Sequence, residues 1–173
     1  LFYTSLLSAH ARPSAGIESV TYPATLSSAM QNDPSKPLFL ASGGEMGARV
    51  SRHDWSATPL GPIASWPASL RIAASMVLSS RFPSCLVWGP ELISIYNDAF
   101  VPTLGDKGDC LGMPFALIWQ EAWDSIGPIA AKALAGEATF VKDFPVKVRR
   151  DANGLAEAFF TFSYSPVVDE NGV

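Results

Sequence analysis

The feature that most restricts what this chain can fold into is a change of hydrophobic period near its C-terminal end. Over residues 140–149, Phe140, Phe144, Val146 and Val148 alternate with Asp143, Lys147 and Arg149. Over residues 157–165, Ala158, Phe160, Phe162 and Tyr164 alternate with Glu157, Thr161, Ser163 and Ser165. A period of two marks a strand with one buried face. The Asp-Ala-Asn-Gly stretch at 151–154 supplies an Asn-Gly turn between them, so a long antiparallel hairpin is expected. Phe159 interrupts the alternation, which requires the second face to meet something apolar as well. The Asp-Glu-Asn-Gly stretch at 169–172 reads as one more turn, and the expectation is a sheet whose last strand is truncated here and continues past Val173.

A second, shorter hairpin is marked earlier, with apolar runs at 85–88 and 92–96 joined by Gly89-Pro90-Glu91. Asn97 or Asp98 is suited to cap the segment that follows, while Pro102 and Gly105 keep that helix short. A helix is expected over 65–81, with Ser65 as cap, Pro67 in the first turn and an apolar stripe of Leu70, Ala73, Ala74, Val77 and Leu78. A shorter one is expected at 45–52. Phe115, Ile118, Trp119 and Ala122 fall at helical spacing within 114–123, and a further helix from Ser125 or Pro128 to Leu134 closes at Gly136. Residues 1–42, rich in Ser, Ala and Pro with no sustained period, read as a largely irregular arm, and residues 43–173 as the domain proper. Strands at both ends of a helical middle give an α+β fold: an antiparallel sheet with short helices across one face.

Composition excludes several functions. A net charge of −4 and the lack of a basic stripe argue against a nucleic-acid surface; the one basic cluster, Lys147, Arg149 and Arg150, reads as a solvated strand end. No apolar run approaches the ~20 residues needed to span a bilayer. Cys85 and Cys110 have neither zinc-site nor disulfide-framework spacing, which makes a reducing compartment the default.

Four stretches taken together carry a resemblance: HDWSATPLGPIASWPASLRIAASMVLSSRFP, WGPELISIYNDAF, LGMPFALIWQEAWDSIGP and FFTFSYSPVVDENG. In this order, over residues 46–173, the chain resembles the PAS sensor domains at the front of bacterial sensor histidine kinases. Asn97 and Gly112 match recurrent positions of that family, whereas Gly108-Asp109 stands where relatives tend to carry His-Pro. The resemblance implies a PAS-like five-stranded sheet, a cytoplasmic location, a small-molecule ligand, a homodimer and a downstream histidine kinase domain. No kinase motif occurs within the 173 residues.

His53-Asp54 reads as a loop pair capping a turn rather than an acid/base dyad, and no nucleophile elbow or phosphate loop is present. The resemblance disfavours haem, because haem-binding PAS domains usually supply a His from the helical segment and residues 98–136 contain none. Flavin is disfavoured because Cys110 lacks the Asn-Cys-Arg-Phe-Leu-Gln setting of photochemical relatives. What remains is an aromatic surface between helices and sheet: Trp88, Tyr96, Phe100, Trp119, Trp123, Phe144, Phe160, Phe162 and Tyr164. These fill a core or line a pocket for a small, mostly apolar ligand. Asn97 is either a helix cap or a ligand contact. Lys142 falls on the inward face by strict alternation, where an unpaired charge is costly. Either it snorkels, or a bulge turns it out, or it meets the carboxylate of a ligand such as a fatty acid.

Overall fold

A computed structural model describes residues 1–10, 37–151 and 154–172, with side chains placed except at 6–10, 148–151 and 154–156. In chain order the strands and α-helices are β1 (Phe2–His10), α1 (Gly44–Arg52), α2 (Ala68–Ser79), β2 (Ser84–Trp88), β3 (Ile93–Tyr96), α3 (Val101–Leu104), α4 (Phe115–Ile118), α5 (Trp123–Leu134), β4 (Thr139–Asp151) and β5 (Gly154–Pro166). The sheet has five antiparallel strands in the order β3-β2-β1-β5-β4, with short helices packed on it, an α+β arrangement consistent with a PAS-like fold.

The irregular arm expected over 1–42 is overturned at its start. β1 is the middle strand of the sheet, pairing Phe2 with Val87 of β2 and with Pro166 of β5. The sheet therefore takes its fifth strand from this segment. The reason lies in the side chains: Phe2 and Thr4 are buried beneath the helices, whereas Tyr3 and Ser5 line a groove against α2 on the opposite face. Backbone groups of a central strand are satisfied from both sides, which stabilises a sequence of modest strand propensity. Prolines 13, 23 and 34 of the expected arm lie outside the described residues, as do Ala152 and Asn153 of the expected turn. The β4–β5 pairing reaches Asp151 opposite Gly154.

The helices divide between the two faces. Phe2 packs edge-on against Phe115 of α4, and α5 rests on β5, whereas α2 lies over Leu86 and Tyr3 on the other side. α2 starts at Ala68 rather than 65, because the Ser65 hydroxyl donates to the Pro62 carbonyl (2.7 Å) within a preceding 3₁₀ turn at Ile63–Ser65, leaving Pro67 at the N-cap. It ends at Ser79, with Leu70, Ala74, Val77 and Leu78 buried. α1 begins at Gly44, where φ is +60° and a Cβ would lie 2.0 Å from Asp98 Oδ2. Only glycine fits, because the Asp98 carboxylate accepts from the Glu45 and Met46 amides (3.1 and 2.7 Å) at this helix start.

The strict alternation expected along β4 fails at one place. Pairing slips between Val141 and Phe144, and Asp143 adopts φ +48°, its amide donating to Thr161 Oγ1 at 3.0 Å. This bulge inserts an extra residue and re-phases the strand. Val141, Phe144 and Val146 turn toward the core, while Phe140, 62% exposed, and Lys142 turn to solvent. The helical segment expected over 114–123 is broken: α4 ends at Ile118 and α5 begins at Trp123, runs through Pro128 and closes at Gly136, φ +86°.

Candidate functional site

Between the inner face of the sheet and α3–α5 lies a cavity of ≈ 40 Å³. β5 contributes Phe160, Phe162 and Tyr164, β4 contributes Val146 and β1 contributes Thr4. The helical side contributes Phe100, Thr103, Phe115, Trp119, Ala122 and Ile126. Strand alternation brings three aromatic side chains of β5 to one face, and the α4 turn sets Phe115 and Trp119 four residues apart against them. The rings meet mostly edge to face: Trp119 is 6.4 Å from Phe100 at 87° and 6.5 Å from Phe160 at 76°, and Phe115 is 6.1 Å from Tyr164 at 79°. Edge-to-face geometry is a favoured arrangement of aromatic pairs and adds to the stabilisation from burial.

Size limits what can enter. One water needs ~10–15 Å³ and a benzene-binding cavity has ~150 Å³, so this space holds a molecule smaller than benzene. Its lining is apolar apart from a few groups. Trp119 is 6% exposed, and its Nε1–H is buried without a hydrogen-bond partner among the described residues. Burial holds the Tyr164 hydroxyl protonated far above the usual phenol range. Next to Trp119, Lys107 pairs with Glu121 and its ammonium lies 5.2 Å from the indole centroid. Both side chains of this pair are largely buried, so the ammonium is neutralised by its partner and by the ring.

Of the residues singled out from sequence, Phe100, Trp119, Phe160, Phe162 and Tyr164 come together around this space. The others do not line it. Trp88 is buried at the end of β2. Trp123 opens α5 and packs edge-on to Phe115 at 6.4 Å, and Phe144 packs edge-on to Phe162 at 6.1 Å. Lys142 is exposed on the bulge, which removes the basis for a carboxylate-bearing ligand.

Asn97 is committed elsewhere. Its Oδ1 accepts from the Ser84 and Phe100 amides, both at 3.0 Å, and its Nδ2 donates to the Ser80 and Phe82 carbonyls at 2.9 and 2.7 Å. Tyr96 anchors the following loop: its hydroxyl accepts from the Cys110 amide at 3.2 Å and donates to Asp109 at 3.4 Å. Asp109 also receives the Leu111 amide at 3.1 Å and pairs with Arg49 at 2.5 Å, so the Gly108-Asp109 departure ties this loop to α1.

Sequence reasoning missed Thr4, Thr103, Phe115, Ala122, Ile126 and Val146 as cavity residues. Thr4 was hidden within the supposed arm, while Thr103 and Ile126 belong to helices too short or too displaced for their facing to be read from spacing.

The remaining candidates take local roles. Asp54 accepts from the Ser56 amide at 3.1 Å and caps a 3₁₀ turn, and the His53 ring lies tilted at 57° against Trp55, centroids 4.5 Å apart. Gly112, φ +76°, leaves room for that imidazole, since a Cβ would approach His53 Nε2 to 2.5 Å. Burial pushes the Cys85 thiol up to about 12 and raises that of Cys110. No cluster of three or more metal-capable side chains occurs among the described residues, and none of their helices is long and apolar enough to cross a membrane.

Fold and site together define an α+β domain with a five-strand antiparallel sheet and a small, apolar internal space. Comparison with protein-family models, curated proteins and solved structures gives no match.

Proposed function

We propose that the chain is the cytoplasmic, non-catalytic sensing module of a PAS-type sensor histidine kinase, taking a small, mostly apolar molecule between helices and sheet and relaying its presence to a C-terminal kinase domain. The observation that carries this reading is the ≈ 40 Å³ space that the aromatic side chains of helices and sheet leave open between them. The kinase link rests on the sequence resemblance. Binding transmits a state only if the ligand favours one of two arrangements of sheet and helices over the other.

Analysis of small molecules released on heat denaturation, by gas chromatography coupled to mass spectrometry, tests the sensor reading. A stoichiometric compound retained by the purified chain is the expected result; its consistent absence, together with a clean ligand-free dimer in native mass spectrometry, would favour a second reading. That reading is a dimerisation module. It is supported by Ile72 and Met76 of α2, 61% and 67% exposed, which form a ridge shared by two neighbouring surface grooves.

A further inference from the structure

The cavity as it stands is too small for a ligand that a sensor could detect. A space of ~150 Å³ holds the carbons of benzene, so in proportion ≈ 40 Å³ holds about two non-hydrogen atoms. The most efficient small ligands gain about tenfold in affinity per non-hydrogen atom, which limits a ligand of about two atoms to a dissociation constant of about 10 mM, while micromolar binding takes about six. A ligand that binds at signalling concentrations therefore has to enlarge the space, and one wall has to move.

The walls are not held alike. The sheet wall is an antiparallel ladder, and α4 is pinned to the sheet edge by backbone bonds, the Phe115 amide donating to the Leu92 carbonyl at 2.8 Å and the Gly112 amide to the Ser94 carbonyl at 3.0 Å. Residues 105–111, which follow α3, are fastened by side chains instead: Lys107 to Glu121, Asp109 to Arg49 of α1 at 2.5 Å, and the Tyr96 hydroxyl to the Cys110 amide at 3.2 Å. Gly105 (φ +59°, ψ −131°) and Gly108 (φ +73°, ψ −147°) take backbone conformations costly for any residue with a Cβ, and a Cβ at Gly108 would meet nothing within 4 Å, so the segment has hinges and open space beside it. It also bridges the gap between the walls. Thr103, just before it, lines the cavity; the Lys107 ammonium lies 5.2 Å from the centroid of the Trp119 indole; and the 3₁₀ turn Gly105–Lys107 packs against β4, whose Val146 lines the same space. We infer, building on the sensing reading above, that residues 105–111 are a strap that closes the cavity in this arrangement, and that the signal ligand binds by displacing it, which releases Asp109 from α1 and so carries the bound state out of the site.

A strap and a supporting wall respond to loosening with opposite signs. The apparent affinity of a ligand that needs the open form scales with the open fraction, so weakening the closed form tightens binding. Arg49→Met removes the fastening on α1, and Gly108→Ala makes the closed backbone costly without a steric contact. The full 173-residue chain and both variants are titrated with benzene and with xenon while the Ile126 methyl groups are followed by NMR. The expected result is saturable benzene binding, tighter by about two- to fivefold in Arg49→Met and by about fivefold or more in Gly108→Ala, with xenon affinity staying within about twofold of the parent. At benzene saturation the Cys110 and Leu111 amides of the parent should exchange with solvent about tenfold faster. Should neither variant fold, that exchange measurement on the unaltered chain decides alone. Benzene that binds the variants no more tightly than the parent, or that leaves both amides protected, overturns the strap and leaves the sensing reading standing, because a different wall then yields. Xenon gaining as much as benzene also overturns it, since the closed cavity itself has then changed. If benzene binds none of the three chains, the space keeps its size and both readings fall.

Discussion

Asn97 ties together the end of α2, the start of β2 and the turn after β3 through four hydrogen bonds, and it is 1% exposed. Replacing it with Ala leaves the Ser84 amide and the Ser80 carbonyl without this partner, while the Phe100 amide keeps the Asn97 carbonyl and the Phe82 carbonyl keeps the Ser80 and Ser84 hydroxyls, and Asn97→Ala should lower unfolding free energy by about 2–4 kcal/mol in urea titrations without moving ligand affinity. A loss under about 1 kcal/mol would show that water substitutes for the amide. Asp109 gives a pH signature. Burial alone would raise its pKa, but the Leu111 amide, the Arg49 guanidinium and the Tyr96 hydroxyl outweigh that and hold it below the ordinary carboxylate value. The stability it contributes is therefore present above the unfolded value near ~3.9 and is lost as pH falls through the folded value. Asp109→Asn should cost a few tenths to about 1 kcal/mol at pH 7, since the pair is solvent-screened, with the difference from the parent chain shrinking toward pH 3. A difference that stays constant between those pH values would assign the effect to shape and not charge. At this scale the sequence was readable where bonding is local, as at Asn97 and Asp54. It was not readable at Phe140 and Lys142, whose facing depends on how Asp143 meets Thr161 across the sheet.

Among the elements, the two hairpins announce themselves through period and turn chemistry, and the close of α5 through Gly136, because each is decided by neighbours in sequence. β1 does not. Its Phe2/Thr4 and Tyr3/Ser5 alternation is brief and runs into Leu6-Leu7, and its identity as a strand comes from partners as distant as Pro166. The same gap hid part of the site, since Thr4 reaches the cavity only because β1 occupies the middle of the sheet. The position also makes β1 sensitive. Thr4 pairs with Cys85 on one side and Tyr164 on the other. Proline removes a ladder donor and is tolerated essentially only on sheet edges, so Thr4→Pro should cost about 3 kcal/mol or more and abolish a cooperative thermal transition followed by circular dichroism. A sharp transition within a few degrees of the parent would place the N-terminal segment outside the sheet.

For the molecule as a whole, the apolar ridge of α2 is the surface on which the dimerisation reading is tested. Ile72→Glu with Met76→Glu should turn a dimer into a monomer in sedimentation velocity while changing unfolding free energy by less than about 0.5 kcal/mol, because both side chains are exposed. A dimer that survives both changes would move the interface elsewhere. The global architecture was legible as a class, an α+β sheet with short helices, because the count and spacing of amphipathic segments leave few ways to bury them. What sequence could not supply was the closure of the sheet. The β2–β3 and β4–β5 hairpins can each form from nearby residues, but only β1 joins them, pairing Phe2 with both Val87 and Pro166. Contacts of such separation carry the full entropy of loop closure before they return any stabilisation, and they slow folding. A segment synthesised ahead of both hairpins is thus the last to be accepted, and until it docks, the flanks of β2 and β5 stay open to pairing with another chain.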